Sequence, residues 1–187
     1  MTEMEKILIA MLQKFEGFSK HAYLDSENLP TVGYGRLLTG AGPGWDGKHY
    51  AAASDFNDEY PDGISMEAAT RALLEDADQG IKDARTLVES VSESGSQRWA
   101  ALSPLRQAIL ASIAFNLGRA RFAKFRGVWR GVSADDPGKV AVELLDSRRA
   151  RQIKRRAALE AVAYCTDWLP CLELPPDWRV SVEGLIT

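Results

Sequence analysis

The chain has 187 residues, 45% of them apolar and 26% charged, with a formal net charge of −3. That balance suits a globular protein with a real core; no apolar run nears the roughly 20 residues that cross a bilayer, and Ile7–Leu12 is too short for a secretory leader and lacks its cleavage pattern. Of the two cysteines, Cys165 and Cys171, free thiols are the expected state in a reducing compartment, with a disulfide between them the alternative, while His21 and His49 stand alone, so no metal site is expected.

Taken along the chain, Met4, Ile7, Leu8, Met11, Leu12 and Phe15 recur at helical spacing, and Gly17 offers the stop. Glu16 therefore falls at or just past the last helical turn. Tyr23–Tyr34 reads as a short hairpin with its turn at Ser26–Pro30 and its return strand at Thr31–Tyr34. Residues 40–63, rich in Gly, Pro, Asp and Ala, read as a loop region with one weak strand near His49 and Tyr50. Ser65 caps a long helix whose apolar face runs through Ala69, Ala72, Leu73, Ala77, Ile81, Ala84 and Leu87. Ser92–Gln97 is polar and loop-like. Ser103-Pro104 opens a strongly apolar helix that ends at Gly118. Further helices are expected at 121–131, 137–147 and 149–164, and an irregular tail or added strand from Asp167 onward. The expected class is α+β, predominantly α: a small lobe at about 14–65, a connecting helix at about 65–90 and a helical lobe at about 98–168 joined by the N-terminal helix. Residues 169–187 form an extension of unassigned role.

The modest net charge conceals a strong asymmetry. Residues 1–97 carry −9, residues 98–156 carry +10 and residues 157–187 carry −4. The basic block, ending in Arg148-Arg149-Ala150-Arg151 and Lys154-Arg155-Arg156, suits an anionic polymer or is a solvated face balanced by the acidic half. Nucleic acid is not the expected partner, because no recognition motif accompanies the charge.

The most specific chemistry lies in Glu16, Asp25 and Thr31. One protonated carboxyl can assist a leaving glycosidic oxygen, while an ionised carboxylate and a hydroxyl orient the attacking water. Phe15 and Phe18 flank Glu16 and would favour its protonated form, whereas Asp25 at a hairpin turn would meet water and stay ionised. Gly33 and Gly35 would let a polymer approach the backbone. The tryptophans Trp45, Trp99, Trp129 and Trp168 could stack on sugars, but a buried structural role is expected for each.

These segments resemble the phage-type, T-even-like lysozymes of glycoside hydrolase family 24. The resembling residues are Glu16-Gly17, Ala22-Tyr23-Leu24-Asp25, Thr31-Val32-Gly33-Tyr34-Gly35, Ala114-Phe115-Asn116-Leu117-Gly118 and Arg155-Arg156-Ala157. The resemblance implies a lysozyme-like fold over residues 1–168 and a muramidase that needs no cofactor. It would cut the β-1,4 bond between N-acetylmuramic acid and N-acetylglucosamine with inversion. Glu16 would be the general acid, and Asp25 and Thr31 would hold the water. Leu37 and Phe115 would line the sugar cleft, with Gly35 beside it, although Phe115 reads equally as core packing. Asn116 would sit near Glu16, and Arg156 would pair with Glu16. Arg36 replaces the family's histidine and would keep an ion pair with Asp76 or Asp78. Val128 and Glu143 stand where the family has polar sugar contacts.

The expected setting is a monomeric endolysin held in the host cytoplasm, released by a separate holin-type protein and acting on peptidoglycan in the periplasm. An antibacterial effector restrained by an immunity protein, and a non-catalytic wall-binding module, are the alternatives.

Overall fold

The computed structural model describes residues 1–40, 42–91 and 95–168; the expectations for Cys171, for part of the 92–97 loop and for residues 169–187 lie outside them. The class is α+β and mostly helical. Among the described residues, no helix is long and apolar enough to cross a membrane. The chain divides into two compact units, one of residues 9–78 and one of residues 1–8 and 79–187, so that both α1 (Glu3–Glu16) and α3 (Met66–Ser90) contribute to each.

The smaller unit holds a three-stranded antiparallel sheet of β1 (Ser19–Leu24), β2 (Pro30–Gly33) and β3 (Arg36–Leu37) in sequence order. Its register sets two faces. Tyr23 pairs with Thr31 and Thr31 with Leu37, so these three side chains share one face, while Val32 and its partner Arg36 share the other. Val32 and Arg36 are buried, at 0% and 7% exposure, as the face turned to α3 requires. Two glycines make this packing possible. Gly17 takes φ +70° at the end of α1, and Gly33 takes φ +68° where a methyl would come within 3.2 Å of the Ala69 Cβ.

The loop region contains order that its composition hid. A helix α2 (Ala53–Glu59) occupies its middle, pinned to β1 by the Asn57 side chain, which accepts from the Ala22 N–H at 2.8 Å and donates to the Ala22 carbonyl at 3.1 Å. Phe56 is fully buried between the rings of Trp45, Tyr50 and Tyr60. The weak strand expected at His49 and Tyr50 is instead an isolated bridge between Trp45 and Lys48, with Tyr50 N–H bonded to Leu38 O. The hairpin turn also begins one residue early, at Asp25, because Pro30 already belongs to β2.

The larger unit is helical. α4 (Gly95–Ala101) begins inside the segment expected to be loop. α5 (Pro104–Leu117) starts as its capping residues dictate: Ser103 Oγ accepts from the Arg106 N–H, and Pro104 fills the first turn. From Ala108 to Ala114 every residue of it is buried, so that stretch is covered on all sides. Gly80 of α3 meets it closely, since a methyl there would lie 2.9 Å from Ala111 O. The single helix expected at 121–131 is two, α6 (Arg119–Phe122) and α7 (Arg126–Ala134), broken at residues 123–125. Phe122 and Trp129 pack across the break with their rings tilted at 55°, and Trp129 Nε1 donates to Phe122 O. α8 (Pro137–Leu145) and α9 (Arg148–Thr166) follow, capped by Asp136 and Ser147. α9 is kinked at Ile153 and Lys154. Trp45, Trp99 and Trp129 are buried as expected, but Trp168 is 62% exposed.

Candidate active site

Glu16, half-buried, closes α1, and Gly17 reverses the chain directly after it. Phe18 packs its ring against Tyr34 at 5.6 Å. The neighbouring backbone is open on one side: a methyl at Gly35 would find only the Glu16 carboxylate, 4.0 Å away.

Asp25 and Thr31 are both tied to the backbone of Leu29, Asp25 to its N–H and Thr31 to its carbonyl. The Asp25 Oδ1 accepts from the Leu29 N–H at 2.9 Å and from the Glu27 N–H at 2.8 Å, while the Thr31 hydroxyl donates to the Leu29 carbonyl at 3.1 Å. Asp25 N–H and Leu29 O close the turn at 3.0 Å, and Asn28 takes the left-handed conformation inside it. This has two chemical consequences. The Asp25 Oδ2 has no partner among the described residues. Thr31, 2% exposed and already donating its proton, has only lone pairs left to offer. Both groups therefore present acceptors, the arrangement that turns a water's hydrogens inward and its oxygen lone pair outward.

Tyr23 belongs to this face and was not singled out for a role by its sequence pattern. It sits opposite Thr31 in the register and is 39% exposed. Partial burial first, then the negative charges of Asp25 and Glu16, hold its phenol above the ordinary range. It thus lies within the electrostatic reach of both acids. Leu37, 38% exposed, continues the row on the other side of Thr31.

Arg36 lies on the opposite face. Its Nη2 donates to Glu75 Oε2 at 2.8 Å and lies 3.3 Å from Asp76 Oδ1, so the second acid is Glu75 rather than Asp78. Burial pushes Asp76 up to about 6 although Arg36 pulls it down, and Glu75 adds to the rise. An arginine does not titrate near neutrality as a histidine would, but the acid of this pair does. A cavity of about 630 Å³, lined in part by Arg36, Trp45, Tyr60, Arg71 and Glu75, opens beside this pair rather than beside the Tyr23–Thr31–Leu37 row.

The remaining candidates belong to the helical unit. Phe115 is half-buried and packs close to Gly80, and Asn116 is exposed. Val128 is 1% exposed, a core residue rather than a sugar contact. Glu143 packs on Gly127, where a side chain would collide with its carboxylate. Arg156 is not the solvated member of a basic face: its side chain is 11% exposed and its Nε donates to Glu160 Oε1 at 3.2 Å. Glu160, fully buried, had no signal in a sequence scan for acids beside glycines and strands.

A family model described as phage lysozyme matches residues 13–160. The pre-baseplate central spike protein Gp5 of Enterobacteria phage T4 is 30% identical over 156 residues, which cover 79% of this chain and 26% of that protein. The chain thus matches about a quarter of the length of this relative.

Proposed function

The chain belongs to the phage lysozyme family, and on that footing we propose that it is a muramidase acting on bacterial peptidoglycan. Water cleaves the β-1,4 bond between N-acetylmuramic acid and N-acetylglucosamine. Glu16 gives its proton to the departing glycosidic oxygen as the bond breaks. A water donating one hydrogen to Asp25 and one to Thr31 attacks the anomeric carbon from the opposite side, which inverts its configuration, and Asp25 takes up the proton that the water loses. Leu37 offers an apolar surface to the sugar, and the bare backbone at Gly35 leaves it room.

The observation that carries this reading is the shared tether: Asp25 binds the N–H and Thr31 the carbonyl of the same residue, Leu29, which holds the two acceptors near one another at little conformational cost. The test is clearing of a peptidoglycan suspension, with new reducing ends identified, by wild type and Glu16→Gln. Wild type should release muramic-acid reducing ends, and the variant should lose clearing while keeping its melting temperature. Equal clearing by both removes Glu16 from the acid's role.

In the lytic setting the protein is a monomer that accumulates in the host cytoplasm and reaches the periplasmic wall after a holin-type protein opens the membrane. A second reading takes its support from the spike protein to which the chain is similar: the same hydrolase would then travel in the phage particle. Mass spectrometry of purified particles separates the two, since the chain would be present in every particle on the second reading and absent on the first.

A further inference from the structure

In the helical unit, α5 and α9 enclose a polar cluster around Glu160, a residue to which the hydrolytic chemistry above gives no part. The Glu160 carboxylate, 0% exposed, receives four hydrogen bonds. Arg149 Nη1 donates to Oε2 at 2.6 Å and its Nη2 to Oε1 at 3.1 Å; Ser112 Oγ donates to Oε1 at 3.1 Å and Arg156 Nε at 3.2 Å. Arg156 Nη2 also reaches Ser112 Oγ at 3.3 Å. A lone carboxylate in this position would be costly, and a bidentate guanidinium with two further donors is the arrangement that compensates for lost water.

The backbone is bent to make this possible. Arg149 and Glu160 are eleven residues apart, which in an unbroken helix means about 16 Å of axial rise. The kink at Ile153 and Lys154 brings the first turn of α9 back over the rest. Arg156 and Glu160 then lie one turn apart on α9, facing Ser112 and Asn116, one turn apart on α5.

The cluster meets the surface at Asn116. Arg149 Nε donates to Asn116 Oδ1 at 3.1 Å, and Asn116 is exposed. A guanidinium has donors and no acceptor, so the amide has to turn its oxygen inward. Its Nδ2 hydrogens, with no partner among the described residues, are left facing out. We infer that Glu160 is a positioning residue that, through Arg149, locks Asn116 as a hydrogen-bond donor to an acceptor oxygen of the wall polymer. The oxygen is either the acetamido carbonyl of a sugar or a carboxylate of a stem peptide. This rests on peptidoglycan being the substrate.

The test reads binding without turnover, in a Glu16→Gln background, by calorimetry with two probes: glycan strands stripped of stem peptides, and intact soluble peptidoglycan fragments. Asn116→Asp keeps the size and the contact to Arg149 but offers no donor. Arg149→Lys keeps the charge but loses the guanidinium fork, and it remains informative if Glu160→Gln fails to fold. Each should weaken binding roughly tenfold, the worth of one well-placed hydrogen bond. Loss with both probes assigns the acetamido oxygen and loss with intact fragments alone assigns the stem carboxylate; either supports the inference. In nitrogen-15 spectra the Asn116 side-chain amide pair should be well dispersed and shift with ligand in the parent, and collapse toward free-amide positions in Arg149→Lys. Unchanged affinity of Asn116→Asp for both probes overturns the donor role, as does a parent that binds neither probe. Weak binding by Asn116→Asp beside an unaffected Arg149→Lys overturns the positioning. Wild-type turnover is followed in parallel: absence of hydrolysis with binding and its losses intact sinks the muramidase reading and leaves this one standing.

Discussion

Asp76→Asn probes the one acid on the sheet's buried face whose titration the fold moves toward neutrality. Burial raises Asp76 from its ordinary 3.8 to about 6, against the pull of Arg36. Between those values the folded protein holds a proton that the unfolded chain has released, so this group's contribution to stability is fully present below about pH 4 and is lost as pH rises through 6. A displacement of that size corresponds to about 3 kcal/mol before screening. The side chain is 22% exposed, and solvent screening reduces the expected effect to about 1–2 kcal/mol. Urea unfolding of wild type and Asp76→Asn at intervals from pH 4 to 7.5 measures it, because the other carboxylates cancel in the difference. Wild type should lose about 1–2 kcal/mol relative to the variant across that range, with the change centred between pH 4 and 6. Curves that stay parallel would refute the reasoning, since they require Asp76 to titrate alike in both states.

Thr31→Val removes the hydroxyl with little change of shape, and Asp25→Asn removes the charge; each should lower the rate of reducing-end release about a hundredfold or more while the melting temperature moves by a few degrees. Because both groups hold one water, the double variant should lose much less than the product of the two single losses, and strict multiplicativity would separate their roles. Gly33→Ala should destabilise by about 1–2 kcal/mol in urea unfolding, from a left-handed φ and from the approach to Ala69; a neutral result would mean that β2 and α3 yield more readily than their contact suggests.

Much of the fold was legible because its signals are local. The apolar spacing of α1, the Ser103-Pro104 start of α5 and the Gly118 stop are each written within a few residues, and each element forms where its signal lies. What escaped depends on partners distant in sequence. α2 has few apolar residues and is held by Asn57 reaching back to Ala22, 35 positions away, and by Phe56 entering a ring of aromatics. The break between α6 and α7 lies in a stretch with no proline at all. There the packing of Phe122 against Trp129 decides the geometry instead of a local breaker.

The site divides along the same line. Asp25 and Thr31 were legible because a turn of five residues brings both onto Leu29, and turn chemistry is readable from Asp, Ser and Asn in order. Glu160 was not. In the sequence it is one acid after a run of arginines on an amphipathic helix, and such an acid is normally a solvated partner at one helical turn. Its burial follows from two things that no local pattern states: the kink that returns Arg149 over eleven residues, and Ser112, which supplies a hydroxyl from α5. The basic block, read as a face for anionic polymers, therefore contains two different kinds of arginine. Arg149 and Arg156 are spent on holding a carboxylate and an amide in place. Arg119, Arg121, Arg126 and Arg130 remain exposed, and among the described residues they have no ion pair. Only the second kind, to which the exposed Arg148, Arg151 and Arg155 of α9 also belong, contributes long-range attraction at full strength, so the field that would draw an anionic polymer to the protein is weaker than the charge count of residues 98–156 implies.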